Sequence, residues 1–181
     1  MLRTMSSASR EKTLILMRHG KAQEGPGKPD HDRELAARGR RDAKAAGKWL
    51  HAEGLVPDLV ICSTAQRTRQ TWEEACRGGA HTEFVEFRRS VYLGGSEQTL
   101  ETVREDAGDM ATVLVVGHNP TMAQLTSLLT DGEGSREAHE ALGEGFVTSG
   151  LAVLRYAGEW ADLDLGSCAL ARFHVSRGHD E

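Results

Sequence analysis

The order of apolar runs along the chain predicts an α/β fold: a three-layer sandwich with a mostly parallel central sheet and helices on both faces. Two observations carry this. First, Leu14-Ile15-Leu16-Met17, Leu59-Val60-Ile61-Cys62 and Val113-Leu114-Val115-Val116 are short, continuously apolar runs, the pattern of strands buried on both sides. Second, each is followed by a segment whose apolar residues recur at helical spacing, so strand and helix alternate.

The first strand, Thr13 to Met17, stops at Arg18-His19-Gly20. Gly25 to Asp30 carries Gly and Pro and reads as a loop. A helix follows from about Leu35 to Glu53, with Ala43, Ala46, Gly47 and Leu50 on one face and Gly54 ending it. The second strand, Leu59 to Cys62, leads to Ser63, placed as an N-cap with Gln66 at capping-box spacing, and a helix to about Cys76. A weaker strand is expected at Glu83 to Phe87, and Ser96 is placed as the cap of a third helix with Leu100 and Val103 inward. The strand Thr112 to Val116 ends at Gly117-His118, where Asn119 is the expected N-cap and Pro120 suits the first turn. Leu125, Leu128 and Leu129 form the stripe of that helix. Asp131 to Gly145 is polar and Gly-rich and is expected to be a mobile loop or lid, before two closing strands at Leu151 to Tyr156 and Ala169 to Val175.

At 181 residues, 39% hydrophobic and 27% charged, the chain is expected to form one globular domain over 13–176, with a disordered leader over 1–12 and a tail over 177–181. A net charge of -5 gives no broad attraction to nucleic acid or anionic membranes, so neither is expected as a partner. Cys62, Cys76 and Cys168 are odd in number and without CxxC spacing, which suggests neither a disulfide framework nor a zinc site. The polar leader lacks the apolar stretch of a signal peptide, and no segment approaches a membrane span. A monomeric cytoplasmic protein is the expectation.

The chemistry-bearing residues stand at strand ends: Arg18 and His19 after the first strand, Ser63 and Thr64 after the second with Arg67 one turn on, and His118 after the strand beginning at Thr112. In open α/β sheets ligands bind beyond the carboxyl ends of the strands. If these strands are neighbours, two histidines and two arginines meet in one pocket, with helix N-termini adding N–H groups. That is an anion site, and its two guanidinium groups favour phosphate. A cation in the first helical turn, as Arg67 is, opposes the helix dipole unless an anion is bound there. His51, His81, His139 and His179 lie in polar segments and read as solvated, His174 as a strand residue, and His31 as peripheral. Trp49, Trp72 and Trp160 read as packing residues.

Leu16-Met17-Arg18-His19-Gly20, Ser63-Thr64-Ala65-Gln66-Arg67-Thr68-Arg69-Gln70-Thr71 and Val116-Gly117-His118-Asn119-Pro120 together resemble the three motifs of the histidine phosphatase superfamily, the phosphoglycerate-mutase-like enzymes. His31-Asp32-Arg33-Glu34-Leu35 and Phe146-Val147-Thr148-Ser149-Gly150 are similar to the small phosphohistidine phosphatase branch, and the resemblance runs from about Thr13 to Val175. It implies a metal-independent phosphatase with no cofactor. His19 would be the nucleophile, passing through a phosphohistidine intermediate. Arg18, Arg67 and His118 would hold the phosphate, and Gly20, Ser63, Asn119 and Asp32 would contact phosphate or substrate. Where many relatives carry a glutamate as general acid, alignment on Tyr92 puts Arg89. That departure favours a phosphohistidine substrate, whose imidazole can leave already protonated. Asp32, Glu24 and Glu97 are the loop carboxylates that could supply an acid instead. The substrate is expected to be a phosphorylated protein or a small phosphorylated molecule. The alternatives are a general phosphomonoesterase and a non-catalytic phosphate-binding module.

Overall fold

The computed structural model describes residues 10–179. Its sheet has seven strands: β1 (Lys12–Arg18), β2 (Leu59–Ser63), β3 (Phe84–Arg88), β4 (Thr112–Gly117), β5 (Thr130–Gly134), β6 (Gly150–Tyr156) and β7 (Cys168–Val175). The helices are α1 (Ala37–Ala52), α2 (Gln66–Gly78), α3 (Arg89–Leu93), α4 (Ser96–Asp106), α5 (Thr121–Leu129) and α6 (Arg136–Gly143). Strand order is β3-β2-β4-β1-β6-β7-β5. The first four strands are mutually parallel; β6 runs against both β1 and β7, and β5 runs parallel to β7. This is the mixed, mostly parallel α/β sandwich that the apolar runs predict.

Alternation along the strands divides the interior in two. Leu14 and Leu16 of β1, Ile61 of β2 and Val113 and Val115 of β4 point to one face, where they meet Val91, Leu100, Val103, Met122 and Leu125. Ile15, Met17, Val60, Cys62, Leu114 and Val116 point to the other and meet Ala46 and Leu50 of α1 and Trp72 and Ala75 of α2. All of these strand residues have no solvent exposure, which is why the runs carry no polar interruption. Helices α1 and α2 approach so closely that a Cβ on Gly47 would overlap the Ala75 carbonyl.

Four expectations need correction. The segment 131–145 is not a loop. It supplies β5 and α6, the latter capped by the Ser135 hydroxyl accepting from the Ala138 N–H at 3.1 Å. A Cβ on Gly134 would overlap the Leu170 carbonyl, so glycine there serves close backbone pairing with β7, and an exposed edge strand carries no apolar run to reveal it. Secondly, Lys12, placed in the leader, belongs to β1 and bonds the Gly158 carbonyl at 2.8 Å; most of that leader lies outside the described residues. Thirdly, part of the tail is docked: Gly178 N–H and Arg177 both bond the buried Asp42 carboxylate. Finally, Ser63 and Ser96 do not cap helices. Ser63 ends β2, Ala65 is the residue preceding α2, and Gly95 precedes α4.

Candidate active site

Strand register builds the site. Arg18 lies opposite Gly117 and Cys62 opposite Val116, so β1, β2 and β4 end level with one another. The His19 N–H then continues the ladder onto the Gly117 carbonyl at 3.0 Å. His19 and His118 are thereby placed with ring centroids 5.2 Å apart. Arg67, in the first turn of α2, reaches across until its Nε stands 3.4 Å from His19 Nε2. Arg18, His19, Arg67 and His118, separated widely in sequence, meet at one end of the sheet.

A hydrogen bond to the backbone settles the tautomer of His19. His19 Nδ1 lies 2.7 Å from the Gly20 carbonyl, which can only accept, so Nδ1 carries the proton and Nε2 presents its lone pair to the site. Burial drives the His19 pKa down to about 4, with Arg67 and Arg18 adding to the effect against the pull of the Gly20 carbonyl. Burial likewise lowers His118 to about 3, helped by His19 and Arg67. Both imidazoles are therefore neutral at pH 7. His118 Nε2 sits 2.7 Å from the Ser63 hydroxyl, which also accepts from the Ala65 N–H. When the hydroxyl hydrogen of Ser63 points to Nε2, the proton of His118 sits on Nδ1.

Arg18 is held by its Nη1, which donates to the Phe146 carbonyl at 3.0 Å. The Asn119 amide donates to that same carbonyl at 2.7 Å, and Asn119 Oδ1 accepts from Ala123 N–H. The Ser149 N–H, on a residue with φ of 60°, bonds the carbonyls of Arg18 and His19. Arg18 Nε and His118 Nδ1 are buried and have no hydrogen-bond partner among the described residues. Buried donors without acceptors are costly unless a ligand meets them, and two arginines beside them fix its charge as negative.

Gly20 and Asp32 are placed differently from expectation. The Gly20 N–H is taken by Thr71 Oγ1 at 3.0 Å, and a Cβ on Gly20 would crowd the Gly39 carbonyl. Its contribution is the carbonyl that orients His19. Ser63 and Asn119 act similarly, on His118 and on Phe146. Asp32 is exposed, with its carboxylate 3.4 Å from His31 Nδ1. Glu24 pairs with Lys21 in solvent, and Glu97 lies in a separate cleft with Leu100 and Leu128. None of the three faces the histidines.

Asp30 and Tyr92 do, although sequence reasoning assigned neither a role. The Asp30 carbonyl accepts from Arg67 Nη1 at 2.7 Å, and its Oδ2 accepts from Arg67 Nη2 at 3.1 Å and from the Tyr92 hydroxyl at 2.9 Å. The Tyr92 ring stands edge-on to both His118 and His31. Loop position and the Pro29-Asp30 turn were the only sequence signals for Asp30. Tyr92 was visible as an alignment anchor alone. Arg89, at the start of α3, is exposed.

Fold and site together define an α/β protein that gathers fixed positive charge and an unprotonated imidazole at the end of a parallel sheet. A family model for the histidine phosphatase superfamily (branch 1) matches residues 14–89. An uncharacterized protein of Mycobacterium tuberculosis is 42% identical over 165 residues, spanning 89% of this chain and 100% of its own. Among solved structures, a proposed phosphohistidine phosphatase SixA from Nakamurella multipartitia superposes with a TM-score of 0.81 at 37% identity, covering 94% of this chain and 99% of that one. A second, from Agrobacterium tumefaciens, gives 0.73 at 32% identity, with 91% and 98% covered. The chain belongs to the histidine phosphatase superfamily, in its small SixA-like branch.

Proposed function

We propose that this protein is a phosphatase that removes phosphate from phosphohistidine in a protein, through a phosphohistidine intermediate on His19. The observation that carries the reading is the convergence of His19 Nε2 with Arg18, Arg67 and His118, where the buried Arg18 Nε and His118 Nδ1 have no hydrogen-bond partner among the described residues. In the first step the His19 Nε2 lone pair forms a bond to phosphorus as the bond to the leaving imidazole breaks. The substrate reacts with its ring in the imidazolium form, protonated on the nitrogen that does not carry phosphorus, so the imidazole departs neutral and keeps that proton. In the second step water attacks the phosphorus, the His19–phosphorus bond breaks, and inorganic phosphate leaves with His19 neutral again. Arg18, Arg67 and the His118 Nδ1–H hold the oxygens on which negative charge sits throughout.

The substrate preference rests on what surrounds the site. Desolvation acts to raise the Asp30 carboxyl, but hydrogen bonds from Tyr92 and Arg67 and the charge of Arg67 outweigh it and hold the pKa at about 2. At neutral pH Asp30 is thus an acceptor and no proton donor. Glu24, Asp32 and Glu97 face elsewhere. With no acid in place, an alkoxide is a difficult leaving group and an imidazole an easy one. The SixA names of two relatives agree with this reading.

The test is hydrolysis of a phosphohistidine peptide in excess chelator by the wild type and by His19→Ala. Since the arginines supply the positive charge, turnover should persist in chelator. His19→Ala should lower kcat by about 10⁴-fold or more, as loss of a nucleophile does. A His19→Ala variant as active as wild type would refute the nucleophile. Better turnover of sugar phosphates than of the peptide would point to a general phosphomonoesterase.

A further inference from the structure

We propose that Asp30 is a specificity-determining residue, a fixed carboxylate at the mouth of the site that admits neutral or cationic leaving groups and rejects those bearing an extra negative charge. The inference deepens the reading of the site as a phosphatase and rests on it.

Asp30 is one guanidinium away from the nucleophile. Arg67 points its Nε at His19 Nε2 and its Nη1 and Nη2 at the Asp30 carbonyl and carboxylate. Away from the rim at Asp30, Arg18 bonds the Phe146 carbonyl, Gly20 abuts Gly39, and Ser149 and Ser63 are fully buried. The rim that carries Asp30 is open. The Asp30 side chain is 54% exposed and that of His31 42%. A leaving group that projects on this side from a phosphate on the floor passes the Asp30 carboxylate.

Charge fixes what it can be. Arg18, Arg67 and Arg33, whose Nη1 lies 3.2 Å from Asp30 Oδ1, bring three positive charges, and both histidines are neutral. One carboxylate leaves two, which balances a phosphate dianion and nothing more. Arg89 and Asp32, both exposed, add one charge of each sign outside it. A carboxylate or second phosphate on the leaving group would therefore face Asp30 without a counter-charge, whereas an imidazole or imidazolium N–H could donate to it. Removing the Asp30 charge frees one positive charge at the rim for an anionic substrate. The carboxylate is held in place from both sides, by the Tyr92 hydroxyl and by Arg67.

The experiment compares kcat/KM of wild type, Asp30→Asn and Asp30→Glu on a phosphohistidine peptide, phenyl phosphate and a carboxylated ester, 3-phosphoglycerate. Relative to phenyl phosphate, Asp30→Asn should lower the peptide rate and raise the 3-phosphoglycerate rate, each by about tenfold, the scale of one close charge contact at a partly exposed site. Asp30→Glu, which keeps the charge, should restore wild-type ratios at least in part. A change that is uniform over the three substrates would overturn the inference, because it would make Asp30 only a support for Arg67. Wild type without His19-dependent turnover of any of the three would instead refute the phosphatase reading, and the inference with it. The side chain is exposed enough for Asp30→Asn to fold, which thermal melting checks independently.

Discussion

The two halves of the sheet are built differently and do different things. In the parallel half, β3-β2-β4-β1, the central strands are buried on both faces and end level, and the turns beyond them carry every side chain aimed at the site. In the other half, β6-β7-β5, where β6 pairs antiparallel with its neighbours, β7 is buried only at Cys168 and Leu170 and β5 is mostly exposed. To the site that half lends backbone: the Phe146 carbonyl and the Ser149 N–H, from the turn leading into β6. A parallel sheet places distant strand ends side by side at one edge and can assemble a site from single residues. An antiparallel hairpin returns the chain on itself and here closes the core.

That contrast predicts separable effects, and the largest lies in the parallel half. Arg67→Ala removes the guanidinium that faces His19 Nε2 and should lower kcat/KM by about 10²–10³-fold, the scale of one donor lost from a preorganised oxyanion site. Stability should change far less, because the partner left behind, Asp30, is half-exposed and recovers water. Steady-state kinetics with urea unfolding on the same preparation measures both. A large loss of stability with unaltered kinetics would reverse the roles of the two halves.

Much of this division was legible in the sequence, for a physical reason. Strands buried on both faces must be apolar throughout, so β1, β2 and β4 announced themselves, and the polar residues that ended them were conspicuous as Arg18-His19, Ser63 and His118. The helix faces followed from spacing, as with Ala43, Ala46, Gly47 and Leu50 of α1. What stayed hidden depends on close approach rather than burial. Strand β5 pairs through glycine backbone, α6 is short, and Asp30 enters the site through a single 3-10 turn over Asp30–Asp32 whose composition is that of any exposed loop. Ser63 was recognised as important but misassigned. Its sequence context is that of a helix cap, while its hydroxyl bonds the His118 ring. Composition tells which residues are polar; it does not tell which polar partner each one finds.

The second effect falls in the antiparallel half. Leu170 on β7 is fully buried in the same core as Leu154 and Trp160. Leu170→Ala should lower the unfolding free energy by about 2–5 kcal/mol through lost burial and a residual cavity. Below its unfolding transition the variant should retain wild-type kcat, since Leu170 packs in a core cluster that includes neither His19 nor His118. A parallel drop in kcat at temperatures where the protein remains folded would show that the two halves are coupled, with the turn at 146–149 the first place to look.

The last effect is a pH dependence of stability generated chiefly in the parallel half, although burial also lowers the pKa of His174 on β7. His19 and His118 have native pKa values of about 4 and about 3, pushed down chiefly by burial, against 6.5 for an ordinary histidine. Between those limits the unfolded chain binds protons that the native state does not, so acid favours unfolding and stability falls as the pH drops from about 6.5 towards 4. Each histidine contributes a slope of at most about 1.4 kcal/mol per pH unit, reached well inside that window. Carboxylates held below their usual range, Asp30 among them, also lose stabilisation in acid, but for Asp30 the loss continues down to about pH 2. Urea midpoints between pH 7 and 4.5 should therefore fall more steeply for wild type than for a His19→Gln, His118→Gln double variant, which cannot take up either proton. Equal slopes would mean that the two imbalanced imidazoles are solvated rather than buried, and the neutral nucleophile that the site requires at pH 7 would then owe nothing to desolvation.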